Sequence, residues 1–137
     1  MNLYNIGWKK FISFILIIGF FIIGFSSFAL AWEPKLPSRV HGPSSWYVNG
    51  KAGRYFVPII QGKILSPALG IVKTDSNCKP DSQGLSHCYN EIELLSGKMI
   101  TIQNTHQMSK FHCLYPGEHV SVRPDGLSSW AIVQINQ

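Results

Sequence analysis

The sequence predicts an all-β fold: a small barrel of five to seven short antiparallel strands, preceded by an N-terminal signal or transmembrane helix. Three observations carry this reading. The chain opens with one long uncharged apolar run, Phe11 to Phe25. After Ala31 no stretch shows the 3.6-residue period of an amphipathic helix of ordinary length. From Arg54 on, runs rich in aromatic and β-branched residues alternate with turns built from Gly, Pro, Asn and Asp at near-regular spacing.

The N-terminal segment has the order of an export signal. Lys9-Lys10 and the α-amino group make a positive start. Phe11–Phe25 follows, broken only by Ser13, Gly19 and Gly24, and Ala29 and Ala31 then occupy the −3 and −1 positions of a small-residue cleavage site. Cleavage before Trp32 is therefore expected. The alternative is a retained anchor, since Phe11–Ala31 is 21 residues long and about 20 apolar residues span a bilayer. Either way the remainder is expected outside the cytoplasm, in the periplasm or extracellular space or held at the inner membrane. No cysteine directly follows the apolar run, which argues against a lipoprotein anchor.

The expected organisation is a signal over 1–31, a Pro-rich extended arm over 32–45 and one β-barrel domain over 46–137. The 106 residues from Trp32 on suffice for one core. They carry ten Lys/Arg against seven Asp/Glu, scattered without a basic run. So mild a charge points to no polyanion, and with export it excludes nucleic acid as the expected partner.

Along the domain, Pro34, Pro37, Gly42 and Pro43 keep the arm extended. Trp46-Tyr47-Val48 followed by Asn49-Gly50 predicts a two-residue hairpin. Arg54–Ile60 predicts a strand in which Pro58 demands an edge or a bulge. Ala68–Lys73 predicts a second strand, bent at Gly70, and Thr74–His87 a polar loop. Asn90–Leu94 and Lys98–Asn104 are two alternating runs. A three-residue loop, Leu95-Ser96-Gly97, sets Ile92 opposite Ile100 and keeps each face pure, whereas a two-residue loop mixes the faces. This register requires Gly97 in the left-handed region and places Cys88 opposite Asn104. Thr105–Tyr115 has no clean period. Pro116-Gly117 is a turn, Glu118–Arg123 alternates with Val120 and Val122 inward, Pro124-Asp125-Gly126 is a turn, and Ser129–Ile135 is the last strand. At this length an OB- or SH3-like barrel is the expected form.

The stretch from Gly70 to Val122 has a layout of Gly70-Ile71-Val72, a loop, Ile92 through Ile102 around Gly97, a loop, then Leu114-Tyr115-Pro116-Gly117-Glu118-His119-Val120-Ser121-Val122. It resembles the small β-barrel modules of bacterial envelope proteins, including the C-terminal barrels of glycine-zipper outer-membrane lipoproteins. The resemblance covers about 50 residues and rests on turn and strand spacing. It implies a fold and a cell-envelope setting, and no catalytic residue.

Soft ligands stand out among the side chains. His87-Cys88 and His112-Cys113 are both His-Cys pairs, with His106 and Met108 between them. Thiolate, thioether and imidazole together suit Cu(I), so a copper site at one end of the barrel is one reading of His87, Cys88, His106, Met108, His112 and Cys113. The spacings match no zinc ribbon or finger, and cofactor-free packing is the expected state. Three cysteines in an exported domain predict one disulfide: Cys78–Cys88, with Cys113 left as a small buried residue, or alternatively Cys88–Cys113.

Catalysis finds little support. Cys113 and His106 make an imaginable nucleophile pair, but neighbours such as His112 and Cys113 point to opposite faces of a strand. Glu91 and Glu93 read as a solvated face, and Ser129 lacks a nucleophile-elbow context. Trp46, Tyr47, Tyr55 and Phe56 form either an exposed aromatic patch or part of the core. The expected role is a non-enzymatic binding or interaction module of the envelope or periplasm, with an envelope protein or ligand as its partner. A periplasmic copper-handling protein is the second expectation. A membrane-anchored accessory subunit, touching the membrane only if the first helix is retained, is the third.

Overall fold

The computed structural model describes Leu36 and residues 41–137. The expected signal over 1–31 lies outside the described residues, as does the arm before His41 apart from Leu36. Among the described residues no helix is long and apolar enough to cross a membrane.

Seven strands form: β1 Arg54–Gln61, β2 Ala68–Val72, β3 Ser76–Pro80, β4 Ser86–Leu94, β5 Met99–His106, β6 His119–Asp125 and β7 Leu127–Ile135. All pairings are antiparallel, in the order β2-β6-β7-β1-β5-β4-β3, and β2 also pairs with β4. That last pairing closes a six-stranded barrel and leaves β3 outside it. Closure satisfies the backbone groups that an open sheet leaves bare. β2 and β3 lie in succession along one edge of β4, β2 against Ile92–Leu94 and β3 against Ser86–Tyr89.

Where β2 is squeezed between β4 and β6, Gly70 pairs with Leu94 on one side and Val120 on the other. A Cβ here would sit 2.8 Å from both the Glu93 carbonyl oxygen and Ile92 Cγ2. The glycine expected to bend the strand therefore admits close approach of two backbones at the seam.

The β4–β5 hairpin has the predicted register. Ile92 faces Ile100, Cys88 faces Asn104, and Gly97 has φ 80° in the three-residue loop. Ile92, Leu94, Ile100 and Ile102 point inward with Val120, Val122 and Val133 to fill the barrel. On β1, Tyr55, Phe56 and Val57 are all buried despite strand alternation. Tyr55 and Val57 enter the barrel core. Phe56 points outward, under a second cluster with Trp46, Leu85 and Ile132, against which Leu36, Tyr47 and Trp130 pack. The Phe56 and Trp130 rings stack at 4.7 Å, an arrangement that contributes about 1 kcal/mol beyond area burial. The candidate aromatic patch thus divides between two cores. Pro58 lies beside a bulge between Ile59 and Gln61, as a residue without an N–H requires.

Three expectations are corrected. Asn49-Gly50 makes no two-residue hairpin: Trp46–Val48 is a 3₁₀ turn, Gly50 has φ 109°, and the Asn49 side chain is spent on the backbone of β1 and β5. Thr74–His87 is not all loop, since β3 forms within it against the free half of the β4 edge. The last turn is tighter than predicted, with Pro124 and Asp125 inside β6 and Gly126 at the bend.

Candidate functional site

The inward face of the β4–β5 pair changes character along its length. From the hairpin it presents Ile92 with Ile100, then Asn90 with Ile102, Cys88 with Asn104 and Ser86 with His106. All eight are buried. One end of the barrel interior is therefore apolar and the other polar, although polar groups are stable inside only when partnered.

Asn90 organises the polar end. Its Nδ2 lies 3.1 Å from the Thr74 carbonyl, 3.0 Å from Asp75 Oδ1 and 3.1 Å from the Leu114 carbonyl. It thereby links the segment before β3 to the segment before β6. Against it sit three sulfurs. Cys78 and Cys88 form the disulfide, and Cys113 is left as a buried thiol. Of the two pairings open to the sequence, the one closing the shorter loop is present. Cys113 Sγ is 3.9 Å from Cys88 Sγ, and Asp75 Oδ1 is 3.2 Å from Cys78 Sγ. A ligand atom of each of Asp75, Cys78, Cys88 and Cys113 lies within 4.8 Å of all the others. Burial, then the charge of Asp75 and its hydrogen bond, push the Cys113 thiol up to about 11. It is a protonated thiol at neutral pH rather than an activated nucleophile.

The imidazoles go elsewhere. His87 alternates outward from Cys88, where Nδ1 meets Thr105 Oγ1 at 2.9 Å and Nε2 meets Asp81 Oδ2 at 3.0 Å. Burial would raise Asp81, but hydrogen bonds from the Leu85 and Gln83 amides and from His87 outweigh it and hold the carboxyl below its usual range. His112 is exposed, stacks on Tyr115 and meets Glu118 Oε1 at 3.2 Å. Met108 is exposed as well. His106 is fully buried, edge-on to Tyr55 at 5.6 Å. Burial holds it below the ordinary imidazole range despite the opposing pull of the Asn104 backbone and Asp75. Neither of its ring nitrogens, nor either polar atom of the Asn104 side chain, meets a hydrogen-bond partner among the described residues.

Of the six soft ligands read from the sequence, then, the fold brings Cys88 and Cys113 together and sends His87, His112 and Met108 to other surroundings. His106 forms no hydrogen bond with Cys113. Asp75 and Cys78 join the cluster in their place, a membership the sequence reading missed. Their spacing, Asp75-x-x-Cys78 across the start of β3, is the one local signal for it. Glu93 pairs with Lys73 at 3.0 Å while Glu91 is exposed, so the two form no carboxylate dyad. Chemically, the polar end offers three sulfurs and a carboxylate around one point. No protein-family model, curated protein or solved structure matches the chain.

Proposed function

We propose that the chain is an exported, non-enzymatic interaction module of the cell envelope, whose barrel docks a protein partner through the end closed by the β4–β5 hairpin. One observation carries this reading. Of the eight large apolar side chains left exposed among the described residues, Leu95 lies in the hairpin loop, Met99 opens β5 beside it, and Ile60, Leu65 and Leu69 lie at the end of β1, in the loop after it and at the start of β2. Leu95 donates its N–H to the Leu69 carbonyl at 2.9 Å. Gly62 lies against the Met99 backbone, with Leu65 in the loop that follows it. Leu65 is 79% and Leu95 73% exposed, values at which a folded monomer gains nothing from so apolar a rim. Lys63 and Lys98 are exposed in the same loops as Leu65 and Leu95, and apolar side chains with a charged rim have the composition of a protein-docking patch.

The test is site-specific photocrosslinking in cells, with the full chain carrying the photoreactive residue at position 65 or 95 and, as control, at 79 on β3. The reading expects one discrete adduct from 65 and 95 that is absent from 79. The identified partner should bind the purified chain, and binding should weaken at least about tenfold in L65S/L95S. An adduct of twice the chain's own mass would make the partner a second copy, and lipid adducts would make the rim a membrane contact. Either outcome, or no adduct, overturns the reading.

A further inference from the structure

We infer that the polar end of the barrel is a redox-gated site for a tetrahedral thiophilic cation, Zn(II), held by Cys78, Cys88 and Cys113 with the Asp75 carboxylate once the Cys78–Cys88 bond is reduced. The inference is independent of the docking reading, which concerns the opposite end of the barrel.

Geometry carries it first. Zn–S bonds of about 2.3 Å at a tetrahedral centre separate two sulfurs by about 3.8 Å, and a Zn–O bond of about 2.0 Å puts oxygen and sulfur about 3.5 Å apart. Cys88 and Cys113 are 3.9 Å apart, and Asp75 Oδ1 and Cys78 Sγ 3.2 Å. Cys78 and Cys88, bonded to each other in the oxidised chain, must separate, and Cys78 lies in the β3 bulge between Ser76 and Lys79. The compactness also argues against the rival use of a thiol beside a disulfide. Attack by Cys113 on Cys88 needs three sulfurs in line, which would put Cys113 about 6 Å from Cys78. The two lie within 4.8 Å. The sulfurs form a triangle, the arrangement that surrounds an ion rather than the one that exchanges a disulfide.

The second observation is independent of the sulfurs. Asn104 is fully buried, neither of its side-chain polar atoms meets a hydrogen-bond partner among the described residues, and it sits directly opposite Cys88 on the same face of the ladder. A thiolate there gives its N–H groups an acceptor. Asn90, already on Asp75 Oδ1, orients the carboxylate. Both are the outer partners that a bound ion's ligands require. The oxygen donor favours Zn(II) over Cu(I), which prefers all-soft ligands.

The steps balance. A dithiol reductant passes two electrons and two protons to the Cys78–Cys88 bond, giving two thiols, and itself becomes a disulfide. Zn(II) then displaces one proton from each of the three thiols into solvent and accepts the Asp75 carboxylate. Oxidation passes two electrons from the Cys78 and Cys88 thiolates to a disulfide-bearing partner, which takes two protons from solvent to become a dithiol; the Cys78–Cys88 bond re-forms, Cys113 takes back one proton from solvent and the ion is released.

The experiment titrates the full chain with Co(II), a spectroscopic stand-in for Zn(II), before and after phosphine reduction. The reduced chain should bind one equivalent, with a thiolate-to-cobalt charge-transfer band and tetrahedral visible bands that Zn(II) abolishes; the oxidised chain should show neither. C113S, which keeps the disulfide pair and so reports whether the fold survives, should lose charge-transfer intensity. D75N should keep that intensity but change the visible bands, and both should bind Zn(II) more than about tenfold more weakly. A reduced chain without the band, whether folded or unfolded, overturns the inference. So does a band that C113S and D75N leave unchanged, or equal binding by the oxidised chain.

Discussion

Asn49 and Phe56 are joined by two hydrogen bonds that reproduce a rung of a β-ladder with a side chain in place of a strand. The Phe56 N–H donates to Asn49 Oδ1 at 2.8 Å, and Asn49 Nδ2 donates to the Phe56 carbonyl at 3.0 Å and to the Thr105 carbonyl at 2.7 Å. β1 pairs with β5 directly only near Ile59 and Gln61, so Asn49 bridges the two strands where they diverge. N49A should leave three buried backbone groups without partners and lower stability by about 3 kcal/mol. N49D should be as damaging, because it replaces the donor to two carbonyls with an acceptor. Urea unfolding midpoints check both; a loss below about 1 kcal/mol for N49A would mean that water replaces the amide.

Gly70 tests the seam of the barrel. G70A forces a methyl to within 2.8 Å of the Glu93 carbonyl oxygen, a backbone atom that cannot rotate away. Stability should fall by about 1–3 kcal/mol, with exchange of the β2 amides against β4 and β6 accelerating first. An alanine tolerated without loss would show that β2 can shift as a unit.

The disulfide holds the outside strand. Among the strands β3 pairs with β4 alone, and its burial is slight apart from Cys78. Cys88 and Cys113 lie close enough to re-pair, so the informative comparison is C78S/C113S against C113S. Releasing a bridge between positions ten residues apart should reduce stability by about 3 kcal/mol. Hydrogen exchange should rise across Ser76–Pro80 while the β4–β5 hairpin stays protected. Equal exchange in the two variants would mean that the ladder alone keeps β3 in place.

His106 makes stability depend on pH. Burial lowers its pKa in the folded chain, whereas the unfolded chain protonates near the ordinary value of about 6.5. The stabilisation is therefore complete above that value. It is lost as pH falls below it, because the unfolded state then binds a proton that the folded state refuses, with a limiting slope of about 1.4 kcal/mol per pH unit. Urea midpoints measured from pH 7.5 to pH 5 should fall in the parent and flatten in H106Q. A parallel fall in both would assign the slope to other groups.

The parts of the fold legible in the sequence are those where period and burial agree. Ile92, Leu94, Ile100 and Ile102 alternate cleanly, one loop length keeps their faces pure, and the register follows. β3 was illegible because Ser76–Pro80 is polar on both faces and has no apolar pattern to read. The Asn49-Gly50 signal misled because a side chain able to initiate a turn is equally able to replace a backbone rung. For the candidate site, proximity in sequence misjudged the histidines. His87 adjoins Cys88 along the chain, yet strand alternation turns it to the opposite face.

By itself the sequence determined an all-β domain after the N-terminal segment, the hairpin register and the assignment of Ile92 and Ile100 to the interior, because alternation and turn chemistry act over a few residues. The closure of β2 onto β4 belongs to the tertiary structure, as does the choice of Cys88's partner and the gathering of Asp75, Cys78 and Cys113 around it. Those contacts join segments from separate strands and loops, and which atoms meet depends on how the barrel closes, a property of the whole packed sheet that no local pattern contains.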